Sequence, residues 1–454
     1  MIYDLIVIGG GPAGYLAAER AGHEGLNTLL IEKKTIGGVC LNEGCIPSKT
    51  LLHSAKILDY AKHGEKYGVS TTDARIDHKL VIERKNRVVR TLVAGVKSQL
   101  KKNNVIVIEG RGEIIEKNNE GYSIKVKDEL YNGKRILIAT GSELIVPSIL
   151  GLGDEFAKDY VLTNKEILDL EIIPSSLIVI GGGIIGLEIA SYFNSVGSTV
   201  TIVEMLDHIA QDTDREISEI LKKNYEKKGI NFILNAKVTE IKEGSIIYES
   251  KGEIYIIHAD KVLLSTGRKP VVYGFGLENI DIEMEQGRIK TDETARTNIP
   301  NVYAAGDVNG ISMLAHTAYR EAEVAVNNML GKKDIMRYNA IPSVIYTNPE
   351  VASVGETEES AKVKGIDYEI QKVSMRYSGR YVAENEGGDG ICKILLDKRN
   401  KRLVGIQMIG NYSSEIIYGG ALMIETEMRI KDIKELVFPH PTVSEIIRET
   451  IFQF

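Results

Sequence analysis

Two short apolar runs, each ending in a cluster of glycines, frame the chain. The first is Leu5-Ile6-Val7-Ile8, followed by Gly9-Gly10-Gly11-Pro12-Ala13-Gly14; the second is Leu177-Ile178-Val179-Ile180, followed by Gly181-Gly182-Gly183-Ile184-Ile185-Gly186. An unbroken β-branched run predicts a parallel strand buried on both faces, and the pattern after each glycine cluster is helical. In both copies a glutamate closes another apolar run 18 residues after the third glycine: Leu29-Leu30-Ile31-Glu32 and Val200-Thr201-Ile202-Val203-Glu204. The chain therefore contains an internal repeat of strand, helix and strand.

The spacing has a physical reading. The first glycine permits a tight turn, the second lets backbone approach a pyrophosphate, the third lets helix pack on strand, and the acidic residue accepts from ribose hydroxyls. A lone Gly-x-Gly-x-x-Gly is equally a packing device. Here strand, helix and distal glutamate accompany both copies, which predicts two Rossmann-like dinucleotide sites. Gly9, Gly11, Pro12, Ala13, Gly14 and Glu32 form one; Gly181, Gly183, Ile184, Ile185, Gly186 and Glu204 form the other.

The run Arg135-Ile136-Leu137-Ile138-Ala139-Thr140-Gly141-Ser142 has a counterpart in Lys261-Val262-Leu263-Leu264-Ser265-Thr266-Gly267-Arg268. Both predict strands that return to close their own nucleotide unit, so the second unit, 144–264, is an insertion in the first. Asp77 to Lys101 is patterned as helix, while Asn104 to Val126 and Phe232 to Ile257 alternate like antiparallel strands. From Pro342 onward, strands with short turns and two helical stretches predict a separate C-terminal domain. The fold class is α/β: two Rossmann-like domains, the second inserted in the first, followed by an α+β domain.

Composition changes this picture little. The 454 residues are 43% hydrophobic and 26% charged, and a net charge of −7 offers no basic surface for nucleic acid. Met1 to Ile8 carries Asp4 and no basic flank, so it reads as a first strand and not as a secretory signal. The apolar stretch from Leu177 to Ala190 falls short of the ~20 residues of a membrane span. We expect a soluble, cytoplasmic protein. Three cysteines do not make a secreted disulfide framework, but Cys40 and Cys45 stand five positions apart, which suggests redox chemistry.

Those two lie in Gly37-Gly38-Val39-Cys40-Leu41-Asn42-Glu43-Gly44-Cys45-Ile46-Pro47-Ser48-Lys49. They could close a small disulfide loop, and the sequence after Cys45 can continue as helix. A cysteine near a helix start and a lysine has its thiolate stabilised, and the thiolate is the exchanging species. A zinc half-site and a pair of buried thiols are the alternatives. Zinc is disfavoured because the third cysteine, Cys392, stands alone in Ile391-Cys392-Lys393-Ile394-Leu395, where a strand thiol is expected, and no histidine pair has ligand spacing. No metal site is expected.

This segment, together with Thr297-Asn298-Ile299-Pro300-Asn301-Val302-Tyr303-Ala304-Ala305-Gly306-Asp307, resembles the flavin-dependent pyridine nucleotide-disulfide oxidoreductases over nearly the whole chain. The resemblance implies an FAD-binding domain (1–143), an inserted NAD-binding domain (144–264), a central domain completing the FAD domain (265–335) and a dimer-forming interface domain (336–454). It implies that Cys40 is the interchange thiol and Cys45 the thiol that contacts flavin, with Lys49 beside the flavin and paired with Glu188. Asp307 matches the residue that binds the ribityl chain. The cofactor-binding set extends to Lys33, Gly38, Val39, Cys40, Lys49, Gly112, Thr140, Gly141, Gly267, Gly306, Met313, Leu314, Ala315 and His316. The string Phe438-Pro439-His440-Pro441-Thr442-Val443-Ser444-Glu445 resembles the family's catalytic segment, in which the histidine is a base oriented by the glutamate and reaches the cysteines of the other subunit of a homodimer.

Within the family, Cys40-Leu41-Asn42 with Ile46-Pro47-Ser48-Lys49, Met313-Leu314-Ala315-His316, and Ile341 to Ala352 resemble the members that oxidise dihydrolipoyl groups and reduce NAD. Glu204 would repel a 2′-phosphate, and no arginine follows until Arg215, which favours NAD over NADP. The C-terminus, Ile451-Phe452-Gln453-Phe454, lacks the cysteine pair of mercuric reductases. Because the first unit starts at Met1, the lipoyl group is expected on a separate protein of a 2-oxo acid dehydrogenase, glycine cleavage or acetoin-cleaving system. The alternatives are a related NAD(P)H-dependent reductase of another low-molecular-weight disulfide, and a flavin oxidase or NADH dehydrogenase that would need neither the cysteines nor His440 and Glu445. Three departures from the pattern are Val39 in place of threonine, Glu43 between the cysteines, expected to disfavour thiolate slightly, and Phe438-Pro439, expected to make the approach to His440 less polar.

Overall fold

The structure, a computed structural model, describes residues 1–385 and 387–454. It divides into two compact units. One comprises Met1–Thr50, Glu83–Val146 and Gly267–Arg337; the other comprises Leu51–Ile82, Pro147–Thr266 and Tyr338–Phe454.

The first unit is built on a five-stranded parallel sheet in the order Val302–Ala304, Ile136–Ile138, Leu5–Ile8, Thr28–Glu32, Ile106–Glu109. Leu5–Ile8 is central and wholly buried, as its unbroken apolar run requires, and leads into the helix Pro12–His23. A second sheet orders Ile2–Tyr3, Glu129–Gly133, Gly121–Val126 and Gly112–Asn118; its last three strands are antiparallel. Two expectations are corrected here. Met1 to Ile8 is two strands, because the Asp4 carboxylate accepts from Asn27 N at 3.0 Å and Lys134 Nζ at 2.8 Å and breaks the run between the sheets. Asn104 to Val126 is not all antiparallel: Ile106–Glu109 joins the parallel sheet as its edge, where solvent on one side imposes the polar-apolar mixture that suggested a hairpin.

The second unit repeats the plan. Its parallel sheet runs Val161–Leu162, Lys261–Leu264, Ser176–Ile180, Thr199–Val203, Asn231–Ile233, with Ile184–Val196 as the helix after the glycine turn. Asn231–Ile233 is again a parallel edge strand, so the antiparallel reading of Phe232 to Ile257 holds only for Ala236–Lys242, Ser245–Ser250 and Glu253–His258. Beyond Tyr338 lies a five-stranded antiparallel sheet, ordered Ser343–Ile345, Val351–Gly355, Leu403–Ile409, Ile391–Asp397, Tyr368–Ser374. The described residues there form five helices, not two: Glu358–Val363, Gly379–Glu384, Ser413–Glu425, Ile430–Lys434 and Glu445–Ile451. Four of them run seven residues or fewer, too short to show a helical period. The helix His78–Lys102 matches its pattern, and among the described residues no helix is long and apolar enough to cross a membrane.

Cys392 is a strand thiol with no exposed surface, pushed up to about 12 by burial. Its neighbour Lys393 is 3% exposed and meets Asp214 at 2.9 Å and Glu216 at 3.4 Å, with Glu358 closing the cluster. Burial pulls its ammonium down, but Glu358 and Asp214 outweigh that and hold it above the ordinary lysine value. The cluster ties the helix Arg215–Lys227, capped by Asp214, to the C-terminal sheet. Lys393→Met leaves a fully buried Asp214 without its cation, and should cost about 3–5 kcal/mol in urea unfolding followed by far-UV circular dichroism. An unchanged midpoint would show that Asp214 finds another partner.

Candidate active site

The two glycine turns are the same local structure built twice. Gly9 and Gly181 have φ of +106° and +107°, and a Cβ on either would lie 2.2 Å from a carbonyl oxygen, that of Ala139 or Ser265. A Cβ on Gly14 would lie 1.8 Å from the Gly9 oxygen, and one on Gly186 2.4 Å from the Gly181 oxygen. Gly10 N donates to Glu32 Oε2 at 2.6 Å and Gly182 N to Glu204 Oε2 at 2.6 Å. The other carboxylate oxygens accept from Lys34 N at 2.7 Å and Leu206 N at 2.8 Å. Each glutamate thus closes its own turn with one bond per oxygen. A carboxylate has about four acceptor positions, so ribose hydroxyls can still be taken.

Gly11 and Gly183 are the N-caps of the helices that follow, with no side chain capping either. A Cβ on Gly183 would meet nothing within 4 Å, and one on Gly11 only Gly38 Cα at 3.9 Å. Uncapped first-turn amides facing space that only hydrogen atoms leave open are what a pyrophosphate needs. Pro12, Ala13, Ile184 and Ile185 start these helices, and Lys33 is exposed beside Glu32. Arg215 is engaged by Asp207 through two bonds, 3.0 and 2.7 Å, while Glu204 stands at the second turn.

The cysteine segment lies against the first turn. Gly37 and Gly38 take φ of +105° and +57°, and a Cβ on Gly38 would come 2.7 Å from Gly11 Cα. Val39 and Cys40 lie in the short helix Gly38–Asn42, pinned by Asn42 Nδ2 to the Gly38 and Ile36 oxygens at 2.9 and 3.2 Å. Cys45 opens the helix Cys45–Lys62, and Lys49 stands one turn further along it. Both cysteines are half-buried, and no disulfide joins them in this structure. The hydrogen bond with Cys45 raises the Cys40 thiol well above its ordinary value; burial and the Cys45 charge add to this, and Lys49 opposes it. The two thiols therefore titrate as a coupled pair. Glu43, expected to work against thiolate, has Lys34 at 3.5 Å, which offsets part of its charge.

Elsewhere in the first unit, Thr140 Oγ1 donates to the Val271 oxygen at 2.8 Å, Gly141 has φ +74°, and Gly267 has φ +98°. Gly306 N donates to the buried Glu321 at 2.6 Å, and Asp307 accepts from Ser142 Oγ at 2.5 Å. Met313 leads to Leu314, the N-cap of Ala315–Met329 without a side-chain bond, and His316 is in its first turn. Gly112 opens a strand and packs toward Ile31. One contact had no sequence signal: Tyr15 and Tyr319, 304 positions apart, bring their hydroxyls to 2.5 Å.

In the second unit Glu188 is 3% exposed, not a surface charge, and accepts from Tyr346 N at 3.0 Å. His440 is 78% exposed, with Nδ1 2.9 Å from Glu445 Oε1. Glu445 Oε2 accepts from Thr442 N at 2.9 Å, and that amide, then His440, holds the carboxyl below its usual range. The ion is thus present throughout the neutral range and lost only as pH falls through that depressed value. Phe438 packs onto the C-terminal apolar cluster.

Residues 3–322 match the profile described as pyridine nucleotide-disulphide oxidoreductase, and residues 341–451 match its dimerisation domain. The chain belongs to the pyridine nucleotide-disulphide oxidoreductase family. Similar members include the dihydrolipoyl dehydrogenase of Mycoplasma pneumoniae, 37% identical over 99% of this chain and 98% of that protein. The mitochondrial dihydrolipoyl dehydrogenase of Sus scrofa is 38% identical over 98% and 89%. Among solved structures, the HOCl-induced flavoprotein disulfide reductase RclA from Escherichia coli aligns over 99% of both chains with a TM-score of 0.87 at 27% identity. With the family's two nucleotides, the open positions separate the turns. Gly11→Ala should lower FAD content to about a tenth, while Gly183→Ala should keep FAD and weaken NADH binding by about tenfold, about 1.4 kcal/mol. Flavin absorbance and fluorescence titration would read both, and equal losses in the two variants would contradict the division.

Proposed function

We propose that the protein is a dihydrolipoyl dehydrogenase that oxidises protein-bound dihydrolipoyl groups through Cys40 and Cys45 and reduces NAD. The observation carrying this is the thiol pair held against the first glycine turn, in a chain similar to curated dihydrolipoyl dehydrogenases over nearly its whole length. The first turn and Asp307 would hold FAD, and the second turn with Glu204 would hold NAD. We assign 1–143 and 265–335 to the FAD-binding part, 144–264 to NAD and 336–454 to the interface. Cytoplasmic location and a lipoyl-bearing partner protein complete the reading.

The residues act in a set order. His440 of the partner subunit, its Nδ1 held by Glu445, takes a proton from one substrate thiol. The resulting thiolate attacks Cys40 of the oxidised pair, which breaks the Cys40–Cys45 bond and leaves Cys45 as thiolate. The second substrate thiol loses its proton and displaces Cys40, so the substrate leaves as a disulfide and two electrons and two protons remain with the enzyme. Lys49 favours the Cys45 charge, and Glu188 is its proposed partner. FAD would carry the electron pair to NAD.

Anaerobic mixing with dihydrolipoamide and either NAD or NADP tests this reading, with reduction of NAD alone expected. Cys45→Ser should abolish turnover with FAD retained, and His440→Ala should lower it about 10²–10⁴-fold. Oxidation of NADPH by another small disulfide, with no dihydrolipoamide activity, would favour the disulfide-reductase reading that the likeness to RclA suggests.

A further inference from the structure

We infer that Ser142 and Glu321 are positioning residues that hold Asp307 at the rim of the first glycine turn, so that its carboxylate selects a ligand carrying a hydroxylated chain beyond its pyrophosphate. The inference deepens the reading above of FAD as the occupant of that turn, and rests on it.

The backbone of Asp307 is fixed first. Gly306, just before it, takes φ of +79°, and a Cβ there would lie 3.2 Å from Ala13 Cβ and 3.4 Å from Ala318 Cβ. Gly306 is thus wedged between the helix that starts at the first turn and the helix Ala315–Met329. Three residues after Ala318, Glu321 is 1% exposed and accepts from Gly306 N at 2.6 Å. Glu32 and Glu204 close their own turns with bonds of the same length. A carboxylate on a glycine amide therefore recurs a third time, and here it secures the backbone that carries Asp307.

The side chain is fixed next. Ser142 is 8% exposed, and Arg268 Nε donates to its Oγ at 2.8 Å. A guanidinium has donors only, so the single hydroxyl hydrogen of Ser142 is committed to Asp307 Oδ2, 2.5 Å away. Arg268 Nη2 also donates to the Ser142 carbonyl at 2.7 Å, and the pairing of Arg268–Pro270 with Ser142–Leu144 keeps the two in register. Asp307 is half-buried, and its Oδ1 makes no hydrogen bond to the described residues.

Placement in the sheet says which part of a ligand this acceptor meets. Glu32 ends the strand on one side of Leu5–Ile8; Asp307 follows Val302–Ala304, two strands away on the other side. The two carboxylates flank the uncapped helix start from opposite directions. A ligand whose phosphates sit on those amides and whose ribose reaches Glu32 therefore extends its other end toward Asp307. ADP ends before that point, whereas FAD continues into a hydroxylated chain. An acceptor already held in place loses no side-chain freedom on binding, so its bond adds fully to affinity.

The test titrates the full chain, stripped of flavin, with FAD and separately with ADP in a calorimeter. Ser142→Ala should weaken FAD about tenfold and leave ADP within about twofold. In an Asp307→Ala background the same change should cost FAD less than about twofold, because the hydroxyl then has no carboxylate to orient. Glu321→Gln keeps an acceptor for the Gly306 amide and should keep FAD, while Glu321→Leu should lose about tenfold. A Ser142→Ala loss shared equally by FAD and ADP, or undiminished in the Asp307→Ala background, overturns the proposal, since a general loosening of the fold produces either. If Ser142→Ala does not fold, Ser142→Thr and Ser142→Val are compared, and equal FAD affinities in those two overturn it. A parent chain that binds ADP and FAD equally would overturn the reading of the first turn itself; FAD preferred by the parent and by every variant alike overturns this inference alone.

Discussion

The closed turn between a buried strand and an uncapped helix is the constraint on which the rest depends. A glutamate at the end of the neighbouring strand accepts from the amide of the turn, Glu32 from Gly10 and Glu204 from Gly182, each at 2.6 Å. The bond sets the second strand in register with the first and fixes where the helix axis points. A turn this tight excludes side chains at Gly9, Gly14, Gly181 and Gly186, because carbonyl oxygens occupy the places where Cβ atoms would be. Once turn and helix are set, the dipole of the helix and its free amides aim at one place, and anion binding is a consequence of the fold.

The redox segment inherits its position from the first of these turns. Gly38 touches Gly11 with no room for a side chain, so the loop bearing Cys40 is registered against the phosphate-binding backbone. Cys45 then begins a helix, where the dipole favours a thiolate, while the hydrogen bond with Cys45 and burial push the Cys40 thiol up. The asymmetry between two chemically identical thiols arises from backbone placement before any substrate arrives.

The sequence carried much of this in legible form. Both turns could be read because their glycines and distal glutamates are imposed by sterics and by one short hydrogen bond, which few other residue types satisfy. The edge strands Ile106–Glu109 and Asn231–Ile233 were misread because half-exposure gives a parallel strand the alternation of a hairpin. The short C-terminal helices carry too little period to stand out. Residue-to-residue chemistry across long separations was not legible at all. Nothing in the sequence places Arg268 on Ser142, Tyr15 on Tyr319 or Glu188 against the Tyr346 amide, since each depends on which strands neighbour one another.

The two turns share their bonds and differ in their surroundings. At the first, Gly38 stands 3.9 Å beyond the position a Gly11 side chain would take, whereas at the second nothing lies within 4 Å of the equivalent point on Gly183. A ligand at the first would have the redox segment as a neighbour; a ligand at the second meets no such neighbour at that point. Identical handles with unequal neighbours give unequal residence times. On the proposed assignment, the same motif would hold a lasting occupant in one copy and an exchanging one in the other.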